Sequence, residues 1–241
     1  MRARWWAGIV ALCLAGALLL PAVDREALAS TARALRANPG GLVGVLALYF
    51  AAFAVRALLM CRALPGVSFG HSLAALHVAL AGNKLLPLRL GEALRVTSLV
   101  RRTGVGLAEA GAATIVLRGA DVLAVLGLAA ALAPHLLLFS AVAVWIVAAA
   151  VAGVVVAGIW WLRRLGHRLP AAGVAAGAVA AWVLESGVLW QAARWAGIEL
   201  SAVEAVLVTA VTNAAQVFAV APAGLGTYEA AATGILVATT G

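Results

Sequence analysis

The residues that could perform chemistry in this chain are concentrated in one central stretch, residues 83–121. This stretch holds nine of the 26 Lys, Arg, Asp and Glu residues of a 241-residue sequence, and long apolar runs flank it on both sides. Arg89, Glu92 and Arg95 follow one another at intervals of three, which places them along one flank of a helix. Guanidinium groups arranged in this way can hold a phosphate, and a carboxylate beside them can balance its charge or meet a cationic group.

Arg118 and Asp121 share a face of the following apolar run for the same reason. An ionised side chain at the centre of a bilayer costs ~2.5 to 3.5 kcal/mol on insertion scales, so such residues pair with each other or line a polar cavity. Mutual pairing is the purely structural alternative for these two residues. We predict a cavity that binds a lipid head group, lined by Asn83, Arg89, Glu92, Arg95, Arg118, Asp121 and Glu229.

The composition indicates a membrane protein. Hydrophobic residues make up 65% of the sequence and charged residues 11%, whereas soluble domains are about half apolar and a quarter charged. Net charge is +8, but the basic residues sit between apolar runs, where they set topology and contact anionic lipid rather than nucleic acid. We therefore predict an all-α, polytopic integral membrane bundle formed by a single domain, residues 1–241.

Apolar runs of sufficient length predict the membrane spans. We predict that the chain lies in the cell membrane. Arg2 and Arg4 precede the first run, which predicts that the N-terminus is in the cytoplasm. An alternative for this first run is a cleaved signal peptide, because Ala27-Leu28-Ala29 resembles a cleavage site. The predicted spans are about 5–23, 41–61, 107–132, 136–162 and 171–196.

Two further segments, about 66–101 and 201–240, are predicted to form re-entrant hairpins. A full crossing by the first would carry its basic residues to the outside, against the positive-inside tendency. A hairpin that breaks within the membrane and returns keeps the basic residues inside. Such a break requires a cavity lined by protein or water. Both segments contain the pattern P-x-x-L-G followed by Glu-Ala, and they enter from opposite faces, which is the trace of an inverted repeat. The hinge residues are Pro87, Gly91, Pro222, Gly224 and Gly226.

Other ionisable residues receive structural interpretations. Arg56 lies close enough to the end of span 41–61 to extend its guanidinium to the interface, and a role in a lipid site is the alternative. Glu185, in the middle of its span, must be neutral, paired with another helix or facing water. His71 and His77 do not share a helical face, and we expect neither metal nor cofactor. Nucleotide-binding and hydrolytic motifs are not found in the sequence, so we expect no enzyme.

The charged motifs occur in a fixed order: Asn83-x-x-x-Pro87-x-Arg89-x-Gly91-Glu92-x-x-Arg95, then Glu109-Ala110 and Arg118-x-x-Asp121, then Pro222-x-Gly224-x-Gly226-x-x-Glu229. In this order, across roughly residues 66–235, the chain resembles the lysylphosphatidylglycerol synthase transmembrane family, flippase-like proteins related to the membrane half of the multiple peptide resistance factor. The resemblance implies movement of lipids, including aminoacylated phosphatidylglycerol, between leaflets. It implies re-entrant helices as well, but not lysine transfer, which belongs to a separate soluble domain of the bifunctional relatives.

Two departures from the family pattern shape the functional prediction. Leu117 precedes Arg118 where relatives commonly carry Glu, and the sequence reaches Gly241 where relatives continue, so we expect a shortened copy. We predict that the chain translocates a phospholipid or lipid-linked head group, with anionic or aminoacylated phospholipids as its ligands. The alternative is a non-transporting scaffold for a lipid-modifying or cell-envelope enzyme. A lipid-directed enzyme using Glu or Asp as an acid or base is a third hypothesis, and a second copy of the chain or a lipid-modifying enzyme is the expected protein partner.

Overall fold

The computed structural model describes residues 25–85, 90–132, 141–167, 169–216, 231–235 and 237. Every regular element among these residues is helical, which confirms the predicted all-α class. In chain order the long helices are α1 (Arg25–Ala37), α2 (Pro39–Ala63), α3 (Phe69–Leu85), α4 (Gly91–Thr103), α5 (Leu107–Leu132), α6 (Ala141–Arg164), α7 (Ala171–Trp195) and α8 (Ala202–Gln216).

Among the described residues, four helices are long and apolar enough to cross a membrane: α2, α5, α7 and the part of α6 from Trp145 to Arg164. Their lengths of 20 to 26 residues meet the ~20 residues that the hydrocarbon core requires. The chain is therefore a multi-pass membrane protein. The four helices overlap the predicted spans 41–61, 107–132, 136–162 and 171–196, whereas the predicted span 5–23 lies outside the described residues.

Helix α5 is the centre of the bundle and contacts α2, α4, α6, α7 and α8. Small side chains on its buried face let the neighbouring helices approach closely, as is common between membrane helices. A side chain at Gly119 of α5 would collide with Val155 of α6, and one at Gly158 of α6 would collide with Val116 of α5. These paired contacts show that α5 and α6 run antiparallel.

Helices α2 and α7 form a second antiparallel pair. Leu59, near the end of α2, packs against Gly177 near the start of α7, and Gly41 near the start of α2 packs against Trp195 at the end of α7. One buried cluster contains residues near the end of α2, the start of α5, the end of α6 and the start of α7, so these four helix ends share one end of the bundle. We call it the basic end, because it carries five exposed arginines: Arg62, Arg101, Arg102, Arg163 and Arg164.

Helices α3 and α4 form a hairpin that begins and ends at the basic end. At its tip a Cβ on Gly82 would lie 2.9 Å from the Cα of Gly91, so the two helices touch through backbone. The Asn83 Oδ1 accepts a hydrogen bond from the Gly91 amide at 3.0 Å, which satisfies a free donor in the first turn of α4. The predicted hinge Pro87 lies in 86–89, outside the described residues.

The hairpin reaches only about half the length of the spanning helix beside it. Glu92, in the first turn of α4, contacts Arg118, which is the twelfth of the 26 residues of α5. At 1.5 Å per residue Arg118 lies about 17 Å from the start of α5. The α3–α4 tip is thus level with the middle of the bundle.

Helix α8 occupies the first part of the predicted hairpin 201–240. Its first turn is closed by a capping box, in which the Ser201 amide donates to Glu204 Oε2 at 2.7 Å and the Glu204 amide donates to Ser201 Oγ at 3.2 Å. The hydrogen bond from the Ser201 backbone lowers the pKa of Glu204. This stabilisation is present above the ordinary glutamate pKa and is lost as pH falls through the lowered value. Residues 217–230, which include Pro222, Gly224, Gly226 and Glu229, lie outside the described residues.

Replacing Gly91 with alanine should destabilise the hairpin tip. The added Cβ would overlap the backbone carbonyl oxygen of Ala79, which cannot move as a flexible side chain can. Overpacking of this kind costs about 1–3 kcal/mol, so the purified variant in detergent should unfold at a lower temperature than the unsubstituted chain.

Gly111→Ala is the matched control for this experiment. It lies within α5, and a Cβ there meets no neighbouring atom within 4 Å. Since alanine is the better helix former, the control should unfold at or above the temperature of the unsubstituted chain. Equal unfolding temperatures for Gly91→Ala and Gly111→Ala would contradict the close packing at the tip.

Candidate functional site

Six ionisable side chains from four helices meet halfway along the bundle. Positive and negative groups alternate, and each group forms an ion pair with the next, so that three arginines face three carboxylates. We call this set the ion chain. Because the charges are equal in number, each can be compensated in place although the surroundings are apolar. In order of contact its members are Arg95, Glu92, Arg118, Asp121, Arg56 and Glu185.

Arg118 is near the centre of the ion chain and links two helices. Its Nε donates to Glu92 Oε1 at 2.7 Å, and its Nη2 donates to the same oxygen. Its Nη1 donates to Asp121 Oδ2, one turn along α5, at 3.4 Å. The Arg118 side chain is 40% exposed, more than any other side chain of the ion chain. It is therefore the cation that a ligand from outside the bundle can reach.

Arg56 joins the other half of the ion chain and corrects an expectation from the sequence. Its side chain does not extend to the interface but is buried, with Nε 3.5 Å from Asp121 Oδ1 and Nη1 bonded to Glu185 Oε1. The guanidinium also lies over the Trp182 ring, 4.8 Å from its centroid. Two carboxylates and the aromatic ring compensate the charge of the buried guanidinium, so Arg56 does not need to extend to the interface. The sequence left three possibilities for Glu185: a neutral side chain, a pair with another helix, or contact with water. The structure shows the pair with another helix.

Arg95 ends the ion chain on the α4 side. Its side chain is only 3% exposed, and its Nη1 lies 3.6 Å from Glu92 Oε2. Among the described residues no group accepts a hydrogen bond from its Nε. Asn83 completes this end by donating from Nδ2 to Glu92 Oε1 at 3.4 Å. Glu92 is thus held by Arg95, Arg118 and Asn83 at the tip of the hairpin.

The ion chain lies at the depth of a membrane core. Arg118 is about 17 Å and Glu185 about 21 Å from the starts of their helices at 1.5 Å per residue, and both helices start at the basic end. Arg56 is seven residues before the end of α2, about 10 Å from the same end. Arg118 and Glu185 therefore occupy the middle third of helices that are 26 and 25 residues long, and Arg56 lies just outside the middle third of its 25-residue helix.

The structure brings together five of the seven predicted site residues: Asn83, Glu92, Arg95, Arg118 and Asp121. The other two, Arg89 and Glu229, lie outside the described residues. Arg56 and Glu185 were absent from the predicted site. Each is a charged residue inside an apolar span with no other charged residue within four positions, and this shared property was the signal that each needed a partner on another helix.

Another close approach of two ionisable side chains lies at the basic end. His167 Nε2 is 3.7 Å from Glu109 Oε1, which belongs to the first turn of α5. The unpaired backbone amides of that first turn also favour the carboxylate of Glu109. In the part of the chain that the structure describes, no group of three His, Cys, Asp or Glu residues could hold a metal ion.

Comparison with known proteins identifies the C-terminal part of the chain. Residues 170–241 match the family model described as "Lysylphosphatidylglycerol synthase TM region". Residues 170–241 are therefore similar to the lysylphosphatidylglycerol synthase TM family. The family segment contains α7 with Glu185 and all of α8, whereas the other five members of the ion chain precede it. No curated protein and no solved structure matches the chain.

Removing Arg56 should destabilise the bundle, because Glu185 would keep no ion-pair partner among the described residues. Loss of one member of a buried ion pair costs about 3–5 kcal/mol. We expect this loss for Arg56→Met in unfolding titrations with SDS in mixed micelles. The double variant Arg56→Met/Glu185→Gln leaves two arginines alternating with two carboxylates, so it should be more stable than the single variant.

Arg62→Met is the matched control. It makes the same substitution in the same helix, but at an exposed position of the basic end, and surface changes usually alter stability by less than about 0.5 kcal/mol. A double variant no more stable than Arg56→Met would contradict the compensation of Arg56 by Glu185.

Proposed function

We propose that this chain binds the head group of a phospholipid, or of another lipid-linked phosphate, at the ion chain and helps it to cross the cell membrane. One observation carries the proposal: a partly exposed arginine, Arg118, lies halfway along a spanning helix, where the α3–α4 hairpin ends. Ionisable residues at this depth are costly, and in membrane proteins they mark substrate pathways by default.

The chemistry of the ion chain suits a phosphate that carries a cationic substituent. A guanidinium binds phosphate oxygens through parallel hydrogen bonds, so a phosphate can replace the carboxylate of Glu92 on Arg118. The freed Glu92 carboxylate can then accept the ammonium group of an aminoacylated or zwitterionic head group. Arg89 and Glu229 stay predictions as further ligands of the same head group.

The geometry of the hairpin supports a re-entrant arrangement. Helices α3 and α4 enter from the basic end, stop at the level of the ion chain and return, so neither crosses the bundle. The positive-inside tendency favours a cytoplasmic location for the basic end. The predicted span 5–23 would bring the N-terminus to the same side. In this proposal the predicted hairpin 201–240 enters from the opposite face, as an inverted repeat requires.

The proposal includes no chemical step. Each carboxylate of the ion chain is paired with arginine, so none is free to act as a general base in this state. Without a nucleotide-binding site, head groups move down their own concentration gradient or together with an ion that moves down its gradient. The alternative, a scaffold for a lipid-modifying enzyme, differs in that the ion chain would only hold the helices together.

Leaflet exchange of fluorescent lipids in proteoliposomes tests the proposal. Vesicles would contain labelled phosphatidylglycerol, phosphatidylethanolamine or lysyl-phosphatidylglycerol, and the chain should accelerate exchange of at least one of them. Arg118→Ala removes the exposed guanidinium, and we expect a fall of about tenfold or more, since a charged hydrogen bond contributes about 1.5–3 kcal/mol. Arg118→Lys keeps the charge but loses the planar guanidinium, so its exchange rate should lie between those of the unsubstituted chain and Arg118→Ala.

Arg102→Ala serves as the control, because Arg102 is exposed at the basic end, away from the ion chain. It should exchange lipid at the rate of the unsubstituted chain. Folded protein that accelerates no lipid would overturn the proposal, and stable co-purification with a lipid-modifying enzyme would then support the scaffold. Equal exchange by Arg118→Ala and Arg102→Ala would remove Arg118 from the head-group site.

A further inference from the structure

The two ends of the ion chain differ in their ability to change charge. Each interior member contacts two groups of opposite charge, but Arg95 and Glu185 contact one each. Arginine does not lose its proton in proteins. Glu185 is therefore the end group that can be neutralised, and it is also the carboxylate with the fewest arginine partners, since Glu92 and Asp121 each have two.

The surroundings of Glu185 allow it to take up a proton. Its side chain is 23% exposed. The groups that face it are Arg56 and Tyr49 of α2, and Asp121 and Arg118 of α5. Of these, only Arg56 forms an ion pair with it.

Helices α1 and α8 also pack against α7, but their charged groups lie at the end of the bundle opposite the basic end. The first turn of α2, which follows α1, packs on Trp195 at the end of α7, so Glu26, Arg33 and Arg36 of α1 belong to that end. Glu204 begins α8 beyond the same end of α7 and is engaged by Ser201. Neutralisation of Glu185 would thus affect Arg56 first.

We infer that Glu185 binds a proton when an anionic head group binds at Arg118, so that the chain takes up a lipid and a proton together. This inference rests on the proposed function and names its coupling ion. The charge balances in each state. Without lipid, three arginines face three carboxylates; with lipid, three arginines face two carboxylates and one phosphate, and Glu185 is a neutral acid whose proton comes from bulk water.

Alternation of charge explains how the two sites communicate. A phosphate on Arg118 displaces Glu92 towards Arg95 and Asp121 towards Arg56. Arg56, held more closely by Asp121, then compensates Glu185 less, and protonation of Glu185 relieves the excess negative charge. Because coupling between binding sites is reciprocal, a protonated Glu185 must favour phosphate at Arg118 to the same extent.

Calorimetric titration of the purified full chain in detergent with short-chain phosphatidylglycerol tests the inference. Each titration is performed in two buffers of different ionisation enthalpy, such as a sulfonate buffer and Tris, at about pH 7, and the difference in heat gives the protons taken up per lipid bound. We expect up to one proton per lipid. The affinity should rise as pH falls, by at most about tenfold per pH unit, because the complex holds the extra proton.

Glu185→Gln carries the neutral form permanently, so it should bind the lipid with no proton uptake and with an affinity independent of pH. Glu199→Gln, an exposed position outside the ion chain, should behave as the unsubstituted chain. Lipid binding without proton uptake by the unsubstituted chain, a result that needs no variant, would overturn the inference and leave the proposed function intact. Equal proton uptake by Glu185→Gln would also overturn it. Absence of phosphatidylglycerol binding would overturn it as well, while exchange of another lipid in the proteoliposome assay would leave the proposed function intact.

Discussion

Three arginines and three carboxylates meet inside a bundle of apolar helices, and their pairing is the constraint on which the rest of the structure depends. An unpaired charge at this depth would cost several kcal/mol, whereas alternating neighbours compensate one another. The ion chain takes its members from α2, α4, α5 and α7, so the relative height of these helices is fixed by ion pairs as well as by packing. A shift of one helix turn, about 5.4 Å, would break at least one pair.

The packing around the ion chain is arranged to permit these contacts. Glycine and alanine on α5, α6 and α7 let the backbones approach, and membrane helices associate through such close packing because lipid supplies no hydrophobic drive. At the hairpin tip, contact between Gly82 and Gly91 brings Glu92 to the height of Arg118. The backbone there is satisfied by Asn83, which allows a helix to begin in the middle of the bundle.

Complete pairing and ligand binding make opposite demands on the same residues. Arg95 and Arg56 are enclosed and serve mainly to hold the bundle, while Arg118 is 40% exposed although its two carboxylates lie within reach. An open arginine in a neutral ion chain can exchange one carboxylate for another anion at little cost in charge. We propose that the same alternation that stabilises the bundle transmits the exchange from α4 to α7.

The sequence by itself determined the helical class, the four apolar spans and the concentration of charge around Glu92, Arg95, Arg118 and Asp121, because length, hydropathy and helical spacing are local properties. Its error over Arg56 has a physical cause. Helical spacing identifies neighbours within about four residues, whereas Arg56 and Glu185 are separated by 129 positions. Only the antiparallel packing of α2 and α7 brings them to one height, so the tertiary structure alone decided that two lone charges would join the predicted cluster and close it as a neutral chain.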